Sequence, residues 1–379
     1  MLTILFSVGI LVWIVFLLDG VIGLRKIDSL ENETSTETGP LLSVIVAARN
    51  EEQHIKSSIQ SQINQSYKNV EWILVNDRST DATGKIMDDS KEQDSRISVV
   101  HIDDLPEGWL GKNHALYIGA HQAAGKWLLF TDADVQFKKQ AFAKAIHYFE
   151  RHQLDHLTAA PNLNAHAFWL KSFVAFFLFG FSYFKRPWSA NNPKSKAGTG
   201  IGAFMLVSKE AYTTFGTHEE IKMRPDDDLQ LGIKLKRAGF RQKIVTALTL
   251  IEVEWYGSLK EALIGLEKNT FAGLYYRVSM VFLAIFGIFT TNVLPFITMF
   301  SANKTVAVLS IANIILCGIL YVIVIRKLTL FSPALFLVFP FTALLFIYSI
   351  LRASILTFKR GGIVWRGTTY RLRDLRERD

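Results

Sequence analysis

Residues 41–52 read LLSVIVAARNEE, a short and mostly apolar run that breaks at the polar corner Arg49-Asn50-Glu51-Glu52. It is too short for a typical helix and lacks the alternation of a half-exposed strand, so it predicts a strand buried on both faces, as in a parallel sheet. The pattern recurs downstream. Residues 55–63 carry helical spacing, 70–75 (VEWILV) read as a second strand ending at Asn76-Asp77, and a helix follows from about Thr80. Residues 97–102 and 127–130 give two more strands, the latter stopping at Thr131-Asp132-Ala133-Asp134. Alternating strand and helix predicts an α/β domain with a mainly parallel sheet, and polar residues collected at strand ends predict a ligand crevice there.

The ends of the chain are of another kind. Half of the 379 residues are hydrophobic (50%), and the excess lies near the termini. Leu2–Leu24 is almost wholly apolar and is followed by Arg25 and Lys26. At about 1.5 Å per residue it covers a hydrocarbon layer of about 30 Å, and its basic flank places the following chain in the cytoplasm. Neither a basic start nor a small-residue cleavage site precedes it, which argues against a removable signal peptide. Three further apolar stretches cover 278–300, 305–325 and 331–358. If all three cross, the tail 359–379, with seven Lys or Arg against three acids, ends outside. If two cross and 331–358, which contains Pro333, Pro340 and Arg352, is re-entrant or interfacial, the tail returns to the cytoplasm, and this is the arrangement expected.

Residues 167–184 are dense in aromatics and are flanked by Lys185 and Arg186, which predicts a helix lying in the membrane interface; a buried helix of the core fits the same residues. The expected organisation is an anchor at 1–26, a linker at 27–40, an α/β domain at 41–271, a membrane region at 272–358 and a basic tail. The net charge of +8 owes half its value to that tail, which suits anionic lipid headgroups. No nucleic-acid module is present, so nucleic acid is not an expected partner. The single cysteine, Cys317, lies in an apolar run and excludes an internal disulfide or a thiolate metal site. The nine histidines are assigned no metal role.

Carboxylates at three strand ends or helix starts carry the chemistry: Asp77, the pair Asp132 and Asp134, and the triplet Asp226-Asp227-Asp228. An Asp-x-Asp can hold Mg²⁺ or Mn²⁺ through oxygen ligands, and that cation can take two phosphates and neutralise a departing diphosphate. A separate, distant carboxylate can deprotonate an incoming hydroxyl from the opposite side. No serine or cysteine nucleophile elbow accompanies them.

These motifs together resemble family-2 glycosyltransferases with a GT-A fold, a Rossmann-like, mainly parallel sheet. VAARNEE at 46–52 resembles the family's first nucleotide-binding loop, which implies donor contacts from Ala48, Arg49, Asn50 and Glu51. VNDRSTD at 75–81 resembles the second and implies that Asp77 contacts the donor base. GKNHAL at 111–116 resembles the lysine segment beside the diphosphate, implicating Lys112. Asp132-Ala133-Asp134 matches the Asp-x-Asp, implying Asp134 as direct metal ligand with Asp132 beside it. The glycine-containing stretch 200–212, with Gly202, resembles the acceptor-side strand. Asp227-Asp228-Leu229-Gln230-Leu231-Gly232 resembles the Glu-Asp-x-x-Leu-Gly element, with Asp in place of Glu at 227, and implies Asp228 as base in an inverting single displacement.

A Gln-x-x-Arg-Trp element, found in processive members, is not evident in this sequence, so transfer of a single sugar is expected. The ends and the tail at 365–370 are most similar to the carotenoid-linked diaponeurosporenoate branch and less so to hopanoid-associated members. The resemblance therefore implies a nucleotide-sugar donor, with a UDP-sugar favoured, and a hydroxyl or carboxyl of a lipid as acceptor, at the cytoplasmic face of a cell membrane. A processive polysaccharide synthase, a nucleotidyltransferase sharing the fold, and a non-catalytic membrane protein that kept it fit parts of the same pattern. Long products, released pyrophosphate, or indifference to loss of Asp228 would respectively mark them.

Overall fold

The structure is a computed structural model and describes residues 1–365 and 368–372. It divides into two compact units, one of residues 26–164 and 187–254, the other of 1–25, 165–186 and 255 onward.

The first unit is built on an eight-stranded sheet. Its strands are β1 (Asp28–Ser29), β2 (Leu42–Ala48), β3 (Val70–Asp77), β4 (Ile97–Ile102) and β5 (Trp127–Asp132), then β7 (His156–Ala160), β9 (Met205–Ser208) and β10 (Gln242–Thr246). The intervening short strands β6 (Gln136–Phe137) and β8 (Asn162–Asn164) join β11 (Ile251–Glu254) in a separate three-stranded sheet. The large sheet runs in the order β1-β10-β7-β9-β5-β2-β3-β4, and every pairing is parallel except those of β9 with β5 and with β7. The unbroken apolar runs predicted this. Val44, Ile45 and Val46 are fully buried, as are Leu74, Val75, Leu128 and Leu129, because helices cover both faces of a parallel sheet.

In the sheet unit, strand and helix limits moved at the chemically active ends. β3 and β5 each run two residues further than their apolar runs, to Asp77 and Asp132, because pairing with β4 and β2 holds the polar residues in the ladder (Asp77 opposite Ile102, Ala47 opposite Asp132). The helix expected from about Thr80 starts at Thr83. The helix at the acidic triplet starts at Asp227, so Asp227 and Asp228 occupy its first turn, where the partial positive charge of the helix terminus favours them.

The polar stretch read as a linker is docked. β1 pairs with β10, Lys144 donates to the carbonyls of Glu31 and Glu33, and Arg151 pairs with Glu33 at 3.0 Å. His152 and His156 are four apart in sequence but cap a helix and start a strand, so they do not share a helix face.

The second unit is helical. Leu2–Leu24, Val278–Thr298, Lys304–Leu328 and Pro333–Arg360 are each long and apolar enough to cross a membrane. Leu2–Leu24 packs on Lys304–Leu328, where the Asn313 amide donates to the Phe6 carbonyl at 3.0 Å. Its far side exposes Ile4, Leu11, Val15, Leu18 and Ile22. The helix Phe168–Lys185 belongs to this unit; Trp13 stacks on its Phe179, and Arg186, just beyond it, pairs with Asp19.

Pro333 and Pro340, expected to interrupt the last segment, fall in the first turns of Pro333–Val338 and Phe339–Arg360. There a missing N–H removes no helical bond, and the helix Phe339–Arg360 runs unbroken. Its Arg352 and Arg360 both pair with Glu267. Strands 362–365 and 368–371 form a hairpin. Of the tail stretch 365–370, residues 366 and 367 lie outside the described residues, as does 373–379.

Candidate active site

Two loops at the ends of β2 and β3 are knitted together by their own side chains. Asn50 and Arg78 both adopt left-handed backbone, at φ 56° and 55°, which turns each chain sharply out of its strand. The Asn50 N–H then donates to Ser79 Oγ at 3.0 Å, the Thr80 N–H to Asn50 Oδ1 at 2.8 Å, and the Glu51 N–H to Thr83 Oγ1 at 2.7 Å. Ala48 is buried in the ladder opposite Asn76. Asp77 is buried as well and receives two bonds from the Arg78 guanidinium, at 2.7 and 3.1 Å.

The helix Gly111–Gln122 begins directly against that ion pair. A side chain at Gly111 would collide with the Asp77 carboxylate and with Arg78, so glycine is needed for the close approach. The next residue, Lys112, reaches the other way. Its Nζ lies 2.7 Å from Asp132 Oδ1 and 3.4 Å from Asp227 Oδ2. Burial would push the ammonium down, but Asp132, Asp227 and Asp228 hold it above its ordinary range. One residue further, the buried Asn113 amide donates to the carbonyls of Ile221 (2.8 Å) and Arg224 (2.9 Å), tying down the loop that leads into Asp227 and Asp228.

Asp228 is held by two backbone donors, Gly202 N–H on Oδ2 at 2.8 Å and Leu229 N–H on Oδ1 at 2.7 Å. Burial raises its pKa, Lys112 opposes that rise, and Asp132 adds to it. Three glycines make the arrangement possible. Side chains at Gly198, Gly200 or Gly232 would run into backbone across the contact between 198–202 and the helix Asp227–Arg237. At Gly202 a Cβ would stand 2.7 Å from Asp132 Oδ2. Lys112, Asp132, Gly202, Asp227 and Asp228 therefore line one small hollow, together with His218. His218 is buried, its Nδ1 2.8 Å from Tyr212 Oη, and burial, reinforced by Lys112, pushes its pKa down to about 3.

Asp134 is half-buried beside this hollow. Burial, then the charges of Asp132 and Glu51, push its carboxyl up to about 6. Among the described residues no cluster of three or more acids, histidines or cysteines could by itself hold a metal. Asp132 and Asp134 alone suit a hard cation that takes one or two carboxylates and completes its shell with phosphate oxygens and water. The mutual repulsion of these acids is the condition such a cation relieves.

The structure thus brings Lys112, Asp132, Gly202, Asp227 and Asp228 to one place, sets Asp134 next to it, and puts Asp77 and residues 48–51 in the adjoining loops. Sequence reading missed His218, Asn113 and the residues that tether the glycine loop. No local pattern marks their roles: Asn113 acts on carbonyls more than a hundred residues away, and the burial of His218 beside Lys112 is set by the fold.

A mainly parallel sheet with one antiparallel strand, its acids gathered at the strand ends, is the GT-A glycosyltransferase fold. The likeness to a mannosyltransferase of Pyrobaculum calidifontis, solved in complex with GDP-Man and Mn²⁺, shows that fold at TM-score 0.55 and 15% identity, over 94% of this chain and 98% of that one. Residues 43–215 match the model of Glycosyl transferase family 2, and the chain carries a domain of that family.

Two curated relatives share part of it. An uncharacterized glycosyltransferase of Haemophilus influenzae is 40% identical over 123 residues, 32% of this chain and 36% of the relative. A 4,4'-diaponeurosporenoate glycosyltransferase of Staphylococcus haemolyticus is 34% identical over 122 residues, 32% of each. The chain matches about a third of the length of these relatives.

Proposed function

We propose that this chain is a membrane-held, inverting glycosyltransferase that moves one sugar from a nucleotide-sugar donor to a hydroxyl or carboxyl of a lipid acceptor at the cytoplasmic face. The observation that carries this reading is Lys112, whose ammonium joins Asp132 of the Asp-x-Asp to Asp227 beside Asp228. One cation thereby gathers the donor-side and acceptor-side acids into a single hollow. The family-2 domain and the fold shared with a mannosyltransferase bound to GDP-Man and Mn²⁺ support it. The four long apolar helices support the membrane location, and the carotenoid-linked relative supports a lipid acceptor.

In this account Asp77, fixed by Arg78, takes the donor base, and the knitted loops 48–51 and 78–83 cradle the nucleoside. Asp132 and Asp134 would hold Mg²⁺ or Mn²⁺, which supplies positive charge against the departing diphosphate. Lys112 adds a fixed ammonium next to that charge and keeps Asp132 aligned. Asp228, held at both oxygens by backbone N–H groups, keeps a free lone pair for the acceptor proton. As the acceptor oxygen bonds to the anomeric carbon, its proton passes to Asp228 and the carbon–oxygen bond to the diphosphate breaks, its electron pair leaving with the nucleoside diphosphate. Burial favours the protonated form of Asp228, which strengthens it as a base.

The test is a panel of nucleotide sugars given to the full chain in detergent with native lipid extract, with and without EDTA. Release of nucleoside diphosphate from at least one sugar, abolished by EDTA and by Asp134→Ala, is expected. Release of pyrophosphate would mark a nucleotidyltransferase instead.

A further inference from the structure

The segment 199–204 touches both halves of the site. Gly202 donates its N–H to Asp228 Oδ2 at 2.8 Å and accepts from the Asp132 N–H at 3.2 Å, and the Thr131 hydroxyl donates to the Ala203 carbonyl at 2.8 Å. A loop in that position transmits its own placement to the base, so what fixes the loop matters. Behind it stand two side chains that line no part of the hollow, Thr158 on β7 and Gln242 on β10, 0% and 3% exposed.

Every polar group on these two faces the loop or its support. The Thr158 hydroxyl accepts the Ile201 N–H at 3.0 Å and donates to the Phe204 carbonyl at 2.9 Å, clamping the loop at both ends of its turn. Gln242 Oε1 accepts the Thr199 N–H at 3.0 Å. Its amide nitrogen donates to the Gly232 carbonyl, inside the helix that begins at Asp227, at 2.8 Å, and to His156 Nδ1 at 2.5 Å. Gln242 therefore bonds the loop and the helix of the base at once. His156 is fully buried and uncharged near neutral pH, so its Nδ1 lone pair is available to orient that amide.

We infer that Thr158 and Gln242 are positioning residues that set Asp228 against the donor side by fixing the 199–204 loop to the helix Asp227–Arg237. The inference rests on Asp228 being the base. Displacements well below an ångström at the loop would pass directly to the Gly202 bond, and misplacement of that order lowers turnover more than donor binding, because Asp132 is held by Lys112 as well as by the loop.

The decisive variants are Thr158→Val, which keeps the shape and removes the hydroxyl, Thr158→Ser, which restores it, and Gln242→Glu, which keeps the acceptor and removes the donors. Expected in the full chain are a fall in kcat of about tenfold or more for Thr158→Val and Gln242→Glu, donor KM within about twofold, and recovery of most of kcat in Thr158→Ser. An unchanged kcat in both, or a fall that Thr158→Ser shares fully, overturns the inference.

Amide hydrogen exchange gives a reading independent of turnover. Thr158→Val is expected to speed exchange at Ile201 and Gly202 while leaving β5 protected; unaltered exchange there overturns the coupling. A wild-type chain that transfers no sugar under any donor defeats the proposed function, and exchange then still decides whether the loop is held as described.

Discussion

At the scale of single residues, charge balance governs the site. Lys112 lies within ion-pair distance of both Asp132 and Asp227. Its side chain is 24% exposed, that of Asp227 8% and that of Asp132 38%, so water screens the Asp227 side poorly and the Asp132 side in part. Lys112→Met is expected to remove the ammonium that faces Asp132 and Asp227 and to destabilise the sheet unit by about 2 kcal/mol, below the range for breaking a fully buried pair because Asp132 is partly exposed. Thermal melting checks it, and added Mg²⁺ or Mn²⁺ should recover part of the loss. Asp228→Asn keeps one acceptor oxygen for one of the two backbone N–H groups, sets an NH2 against the other, and cannot take a proton, so transfer should fall at least a hundredfold while donor affinity holds within about twofold, measured by calorimetry and product formation. Transfer retained by Asp228→Asn would remove the base from that position.

The motif acids were legible in the sequence because they collect where strands end and a helix begins. His218 was not, since nothing in TTFGTHEE announces that this imidazole is buried against Tyr212 and beside Lys112.

At the scale of elements, the strands were readable because burial on both faces leaves a continuous apolar run, whereas their last two residues were not, because only a neighbouring strand keeps Asn76, Asp77, Thr131 and Asp132 extended. The glycine contacts were half readable. Gly232 appears in the motif, but its reason, the Thr199 carbonyl lying where a Cβ would stand, is visible only in the fold. Gly232→Ala should therefore push the helix Asp227–Arg237 away from the loop and lower stability by about 1–3 kcal/mol, with a matching fall in the proposed transfer.

The same region carries a pH signature. His156 and His218 titrate at about 3 in the folded chain because burial disfavours their charged forms, against about 6.5 when unfolded. Below about 6.5 the unfolded chain binds protons that the folded chain refuses, so the stability these groups supply is complete above that pH and is lost progressively as pH falls toward 3. The melting temperature should drop between about pH 6.5 and 4.5, and His218→Gln, which keeps a polar contact to Tyr212 without titrating, should flatten the drop.

At the scale of the whole molecule, composition separated apolar ends from a globular middle, and four helices of spanning length bear out that separation. The helix Phe168–Lys185 was ambiguous, since a run of phenylalanines suits lipid and core alike; it groups with the apolar helices. The proposed sidedness, with the sheet unit in the cytoplasm, rests on the basic residues Arg25 and Lys26; a last segment that turns back has lost its support from Pro333 and Pro340, because Phe339–Arg360 runs as one helix. A protease added to sealed, right-side-out cells should leave the family-2 domain intact and cut it only after permeabilisation.

What most directly tests sugar transfer to a lipid is the mass of the lipid itself. Membranes containing the chain, given nucleotide sugars and a divalent cation, should yield a lipid heavier by one sugar residue, absent with EDTA and absent with Asp228→Asn. A ladder of successive sugars on one acceptor, or a product that survives the loss of Asp228, would contradict it.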